Sequence, residues 1–133
     1  MKTGSQARLP IVFQEAYDLT VWYANHVVQF PKGFRFTLGD RIQGCLFGLL
    51  ETLQDAAYSR ARRRPLESAQ KAVDRIRIWN RLAQDLGCLS FRQCAYAGER
   101  IESIGKQIGG WARASAAESE ERDGVGTPRA PGR

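Results

Sequence analysis

Residues 30–42 read Phe30-Pro31-Lys32-Gly33-Phe34-Arg35-Phe36-Thr37-Leu38-Gly39-Asp40-Arg41-Ile42, an order that predicts a joint between two long helices. Pro31 helps end the helix before it, because it lacks a backbone donor and restricts the residue preceding it. Thr37 is placed to accept a hydrogen bond from the backbone N–H groups of the next turn. Asp40, three residues later, favours the positive end of the helix dipole. Nothing in the stretch resembles an active site, so the fold is decided by what it connects.

On its N-terminal side, from Ile11 to Phe30, the residues Val12, Ala16, Leu19, Tyr23, Val27 and Phe30 recur at three- and four-residue steps. That spacing lines one face of an α-helix, and Trp22 and Val28 widen it. On its C-terminal side, from Leu38 to about Tyr58, the set Ile42, Cys45, Leu46, Leu49, Leu53 and Ala56 repeats the pattern. Phe47, Leu50 and Ala57 extend it sideways, so this second helix is apolar over more than half its circumference. Such a helix sits deep in a bundle or buries its second side against another subunit, and Phe47, Leu50 and Ala57 are the expected subunit contact.

A third helix is predicted from Pro65, whose fixed φ and missing N–H suit a first helical position. Its inner face is Leu66, Ala69, Val73, Ile76, Trp79, Ala83 and Leu86, and Gly87 fits a left-handed terminating residue. Ser90 followed by Gln93 is a capping-box pattern that starts a fourth helix containing Cys94, Ile101, Ile104, Ile108 and Trp111. Glycines 98, 105, 109 and 110 lower its propensity and permit close helix approach. Four amphipathic helices with short connections and no sustained strand alternation predict an all-α, up-down-up-down four-helix bundle over residues 1–117. Residues 118–133, ESEERDGVGTPRAPGR, are polar and rich in Gly and Pro, and are expected to form a disordered tail.

At 133 residues the chain is the size of one domain. No apolar run approaches the roughly 18 to 20 residues of a membrane-spanning helix, and the N-terminus lacks the organisation of a secretory signal, which predicts a cytoplasmic protein. Cys45, Cys88 and Cys94 show no CxxC spacing, and His26 alone does not complete a zinc site with them. They are expected to be buried reduced thiols, with no metal and no cofactor. The formal net charge is +6, and residues 1–117 carry +7, from 17 basic and 10 acidic residues. A basic folded body attracts polyanions, nucleic acid foremost.

The charge concentrates between Arg60 and Arg81, where Arg60, Arg62, Arg63, Arg64, Lys71, Arg75, Arg77 and Arg81 face only Glu67 and Asp74. At 100° per residue, Arg77 and Arg81 are expected opposite the apolar stripe, with Lys71 and Arg75 along its border. Arginine forks there would bind phosphates with salt-sensitive, sequence-independent affinity. The plainer alternative is a solvated face, with Arg77 pairing locally with Asp74. Trp22, Trp79 and Trp111 fall on or near apolar faces and are read as core, not as a stacking platform. His26 lies beside the first helix's apolar face, without a nucleophile or carboxylate to serve as its partner. Glu99 and Glu102 lack the Glu-x-x-His companion of a bundle metal site. They are expected to pair with Arg100 or Lys106, and no catalytic residue is assigned.

The joint itself, the run Arg75-Ile76-Arg77-Ile78-Trp79-Asn80-Arg81-Leu82-Ala83, the Leu89-Ser90 helix start, and the ending Ile104-Gly105-Lys106-Gln107-Ile108-Gly109-Gly110-Trp111 occur in that order. Together, over about residues 11–113, they resemble the Avd family, the accessory variability determinants of diversity-generating retroelements. The resemblance implies a non-enzymatic four-helix protomer assembled into a basic, barrel-like pentamer. It also implies binding to the retroelement reverse transcriptase and to its RNA template or cDNA, in support of mutagenic cDNA synthesis and retrohoming. Arg77 and Arg81 match the family's basic third-helix positions, whereas Arg60, Arg62, Arg63 and Arg64 are more numerous than its corresponding turn leads one to expect. A related four-helix family, encoded within intervening sequences of bacterial large ribosomal RNA, has a glutamate-containing start to its second helix and a later Asn-Ile-x-Glu-Gly element. This chain shows neither. A structural homo-oligomer whose charge serves solubility is the third alternative.

Overall fold

The computed structural model describes residues 9–126. Among these there are four long helices, one single-turn helix and no strand: α1 (Ile11–Val27), α2 (Lys32–Arg35), α3 (Leu38–Ala57), α4 (Arg63–Asp85) and α5 (Phe91–Gly126). Each long helix packs against the next in the chain, and α5 returns to pack on α1, which closes a four-helix bundle. No helix among the described residues is long and apolar enough to cross a membrane.

The stripes of the sequence become the core. Val12, Ala16, Leu19, Tyr23 and Val27 of α1 are buried, facing Ile42, Leu46, Leu49, Leu53 and Ala56 of α3, Leu66, Ala69, Val73, Ile76 and Ala83 of α4, and Ile101, Ile104 and Ile108 of α5. Trp22, Cys45, Trp79, Cys94 and Trp111 are half-buried against this set. Three residues of the expected stripes lie beyond the ends of their helices. Val28 and Leu86 are exposed there, while Phe30 is only 1 % exposed and plugs the end of the core.

The joint contains the extra turn α2 and is tied down differently from the expected capping. Thr37 stands at the N-cap of α3, yet its hydroxyl donates back to Gly33 O (3.2 Å) and accepts nothing from α3. Its backbone at φ −114°, ψ −83° is not the extended conformation that aims a capping oxygen forward. Gly39 matters more than the cap. A Cβ there would lie 2.6 Å from Val27 Cγ1, so only glycine lets α3 start this close to the end of α1.

Two other ends follow the sequence closely. Gly87 has φ +79° and follows the C-cap Leu86 of α4, in the left-handed position that glycine occupies without a Cβ penalty. Ser90 and Gln93 form the reciprocal capping box, Gln93 N–H to Ser90 Oγ at 3.0 Å and Ser90 N–H to Gln93 Oε1 at 2.9 Å. Helix α4 begins at Arg63, two residues before the expected Pro65, which a first turn accommodates because its N–H groups have no intrahelical acceptor. The largest difference is at the C-terminus. Helix α5 does not stop at Ala117 but runs on to Gly126, and residues 127–133 of the expected tail lie outside the described residues. Residues 116–122, Ala-Ala-Glu-Ser-Glu-Glu-Arg, are largely good helix formers, and once a helix exists each added residue needs only its own hydrogen bond.

One polar group sits inside the core. Asn80, 5 % exposed, accepts a hydrogen bond from the buried Tyr23 hydroxyl and donates from Nδ2 to Cys94 O (3.1 Å), linking α1, α4 and α5. Burial pushes the Tyr23 phenol far above its usual range, so it stays protonated and donates. The α1–α5 seam is also polar: Glu15 Oε1 accepts from Ser103 Oγ (3.0 Å) and Gln107 Nε2 (2.8 Å).

Candidate nucleic-acid interface

The buried residues of α4 fix which way its cations point. Leu66, Ala69, Val73, Ile76, Asn80 and Ala83 define the inner direction. At about 100° per residue, Arg64, Lys71 and Arg75 then lie roughly 130° to 170° away, and Arg77 only about 70° away. This reverses the expected placement. The outward ridge is Arg64, Lys71 and Arg75, whereas Arg77 leans over the border with α5.

At that border Arg77 is engaged by two acids. Its Nε donates to Glu102 Oε2 (2.7 Å) and its Nη1 to Asp74 Oδ1 (2.8 Å). The Glu102 bond above all holds the guanidinium charged. Both ion pairs are solvent-exposed and contribute about 0–1 kcal/mol each. Glu102 thus pairs across helices and not with Lys106 or Arg100 on its own.

The arginine-rich turn also divides. Arg62 Nε donates to Ala56 O (2.8 Å) and Ser59 O (2.9 Å), and its guanidinium lies 5.7 Å from the Trp111 ring centroid. It satisfies a terminal carbonyl of α3 and pins the turn against α5, which is a structural task. Arg63 pairs with Glu67 at 3.3 Å. Arg60, Arg62 and Arg63 border an open cleft of about 590 Å³, floored by Leu66, Ala112 and Ala116, where the extension of α5 passes the turn.

Local pairing therefore sharpens the charge pattern. The only acids on α4 before its last residue, Glu67 and Asp74, are taken up by Arg63 and Arg77. Arg64, Lys71, Arg75 and Arg81 are exposed and make no ion pair among the described residues, as does Arg60 in the turn. Beyond Arg75 the same outer face turns apolar, with Ile78 and Leu82 exposed.

Of the expected subunit contact, Phe47 is 51 % exposed, Leu50 is half-buried against the protomer's own core, and Ala57 is buried within the protomer. Ala57 therefore offers no surface to a neighbour, because α3 rotates it toward the bundle. On adjacent α1, Tyr17 and Val21 are exposed four residues apart, and Val28 is exposed just past its end.

Among the described residues no group of three His, Cys, Asp or Glu side chains could hold a metal. Cys45, Cys88 and Cys94 are free and half-buried, and burial raises the Cys88 and Cys94 thiols above their usual range.

The family model described as bAvd-like matches residues 10–115, most of the chain. No curated protein and no solved structure matches it.

Proposed function

The chain belongs to the bAvd-like family, a non-catalytic accessory-protein family of diversity-generating retroelements, and from that premise we propose that it binds the element's reverse transcriptase together with its RNA template or cDNA. In this role it acts in the cytoplasm as a homo-oligomer, a pentameric barrel, and supports mutagenic cDNA synthesis and retrohoming. The observation that carries the reading is the outer face of α4, where Arg64, Lys71 and Arg75 stand uncompensated because Arg63 and Arg77 absorb the neighbouring acids. Cations so placed bind phosphates regardless of base sequence. The exposed Ile78 and Leu82 beside them extend the face with the apolar surface that a protein partner requires.

Labelled RNA and a purified reverse transcriptase of a diversity-generating retroelement should each bind it at low salt. RNA affinity should fall linearly in log–log form as salt rises, with a slope of about −0.7 for each phosphate neutralised on a single strand. Absence of binding to both partners at low salt would exclude the proposal and leave a structural oligomer.

Self-association is expected from the apolar side offered by Phe47 and by Tyr17, Val21 and Val28, since burying such surface yields roughly 25 cal/mol per Å². Phe47→Glu should lower the mass seen by light scattering to that of the protomer, while the circular dichroism of the helices stays close to that of the parent. A monomer mass for the unsubstituted chain at micromolar concentration would refute the oligomer. An unchanged mass for the variant would place the contact elsewhere.

A further inference from the structure

On the α1–α5 seam, Trp22, His26, Tyr96 and Arg100 form a layered group that shares no residue with the α4 ridge. The Trp22 and His26 rings stack with centroids 3.9 Å apart and planes at 23°. Tyr96 lies 5.5 Å from Trp22 at 33°, and the Arg100 guanidinium is 5.7 Å from the centre of the Tyr96 ring. Spacing explains the assembly: 22 and 26 on α1, and 96 and 100 on α5, are each one helical turn apart and so share a face.

The group is packed against the core at its base and open at its rim. Trp22 meets the buried Tyr23 ring edge-on (86°) and packs on the core. His26 is oriented by a 2.7 Å hydrogen bond from Nδ1 to Trp22 O. Tyr96, by contrast, is 48 % exposed. Arg92, one turn before Tyr96, is exposed, and neither Arg92 nor Arg100 makes an ion pair among the described residues. The acids nearest in sequence are Asp18, which accepts a hydrogen bond from Gln14 (2.9 Å), the exposed Glu99, and Glu102, which is paired with Arg77. An aromatic side chain that core packing does not consume, set between unpaired guanidiniums, combines a π surface for a base with cations for its phosphates.

We propose that Trp22, His26, Tyr96 and Arg100 form a second nucleic-acid site, which stacks an unpaired base of a single-stranded polynucleotide at Tyr96 while Arg92 and Arg100 meet the adjoining phosphates. This rests on the nucleic-acid reading above and adds to it a selectivity that the ridge lacks. The ridge grips backbone whether or not the bases are paired, whereas the seam takes only a base free of its partner.

The test uses the intact oligomer and a single-stranded RNA of about 12 nucleotides carrying 2-aminopurine, a deoxyribonucleotide strand of the same sequence, and an RNA duplex of the same length. Single-strand binding should quench the probe. Tyr96→Ala should remove the quenching and weaken single-strand binding about tenfold with duplex binding unchanged, and Tyr96→Phe should behave like the parent. Equal effects on RNA and DNA strands identify the base as the ligand, and an effect confined to either one assigns the site to template or to cDNA. The proposal is overturned if Tyr96→Ala binds the single strand within about twofold of the parent with quenching intact. It is equally overturned if that variant changes the light-scattering mass, which would make the group a subunit contact. Should the parent bind both strand forms alike, with only ridge substitutions weakening it, the stacking site falls and the ridge stands. Failure of the parent to bind either form removes both.

Discussion

Exchanging Arg64, Lys71 and Arg75 together for glutamate is expected to lower RNA affinity by at least about a hundredfold at low salt, because each subunit loses its phosphate contacts and gains repulsion, and the loss repeats around the oligomer. Stability should barely change, since substitutions at exposed positions away from structural features stay within about 0.5 kcal/mol. Arg77→Ala is the informative comparison. Its guanidinium is already shared between Asp74 and Glu102, so its removal should weaken RNA binding several-fold less than the triple exchange and reduce stability by about 0–1 kcal/mol. Should the triple variant bind like the parent while Arg77→Ala does not, the interface lies at the α4–α5 border and not on the outer ridge.

Asn80→Ala should be the most damaging single change in the core relative to the atoms it removes. It deletes the acceptor of the Tyr23 hydroxyl and the donor to Cys94 O, and leaves a phenol that burial has already made reluctant to ionise. A buried hydroxyl without a partner costs about 1–3 kcal/mol, and the opened space adds to that. The expected loss in urea unfolding is about 2–4 kcal/mol, with a fall in Tm of roughly 3–5 °C for each kcal/mol. Tyr23→Phe should cost less. Pairing the two in a double-mutant cycle should recover a coupling energy of about 0.5–3 kcal/mol, whereas costs that add to within about 0.5 kcal/mol would show that the hydroxyl and the amide act separately.

How much of this fold is legible in the sequence depends on the range over which each signal acts. Helical stripes depend on the 3.6-residue period, so Val12 to Val27 and Ile42 to Ala56 can be placed on inner faces without knowing their partners. Ser90 with Gln93, and Gly87, act within one turn and are equally plain. The Arg77–Glu102 pair joins residues 25 apart on different helices, and no local spacing reports it. Asn80 is hidden for the opposite reason. It continues the stripe of Val73 and Ile76, and only the three-dimensional meeting with Tyr23, 57 residues away, shows why an amide belongs there. Counting Trp79 and Leu86 as inner positions turns the apparent stripe of α4 by about 30° and leaves Arg77 about 100° from its centre, so the period alone does not carry Arg77 to the outer face. In the structure Trp79 and Leu86 lie half-buried and exposed, respectively. The end of α5 differs because the Gly- and Pro-rich composition of residues 124–133 masks the helix-forming run just before them.

The order of packing also sets a sequence of events in time. Of the four contacts between long helices, three join long helices that follow one another in the chain, α1 with α3, α3 with α4 and α4 with α5, and their loops close quickly because little chain entropy is surrendered. The fourth, α1 with α5, brings together residues such as Glu15 and Gln107, which are 92 apart, and adds hydrogen bonds and half-exposed rings at the rim of the shared core. Folding is therefore expected to finish at this seam. Excursions from the native state should begin there as well, with α1 lifting from α5 while the α3–α4 pair holds, so that the face carrying Trp22 and Tyr96 is the part of the protomer with the shortest memory of its closed form.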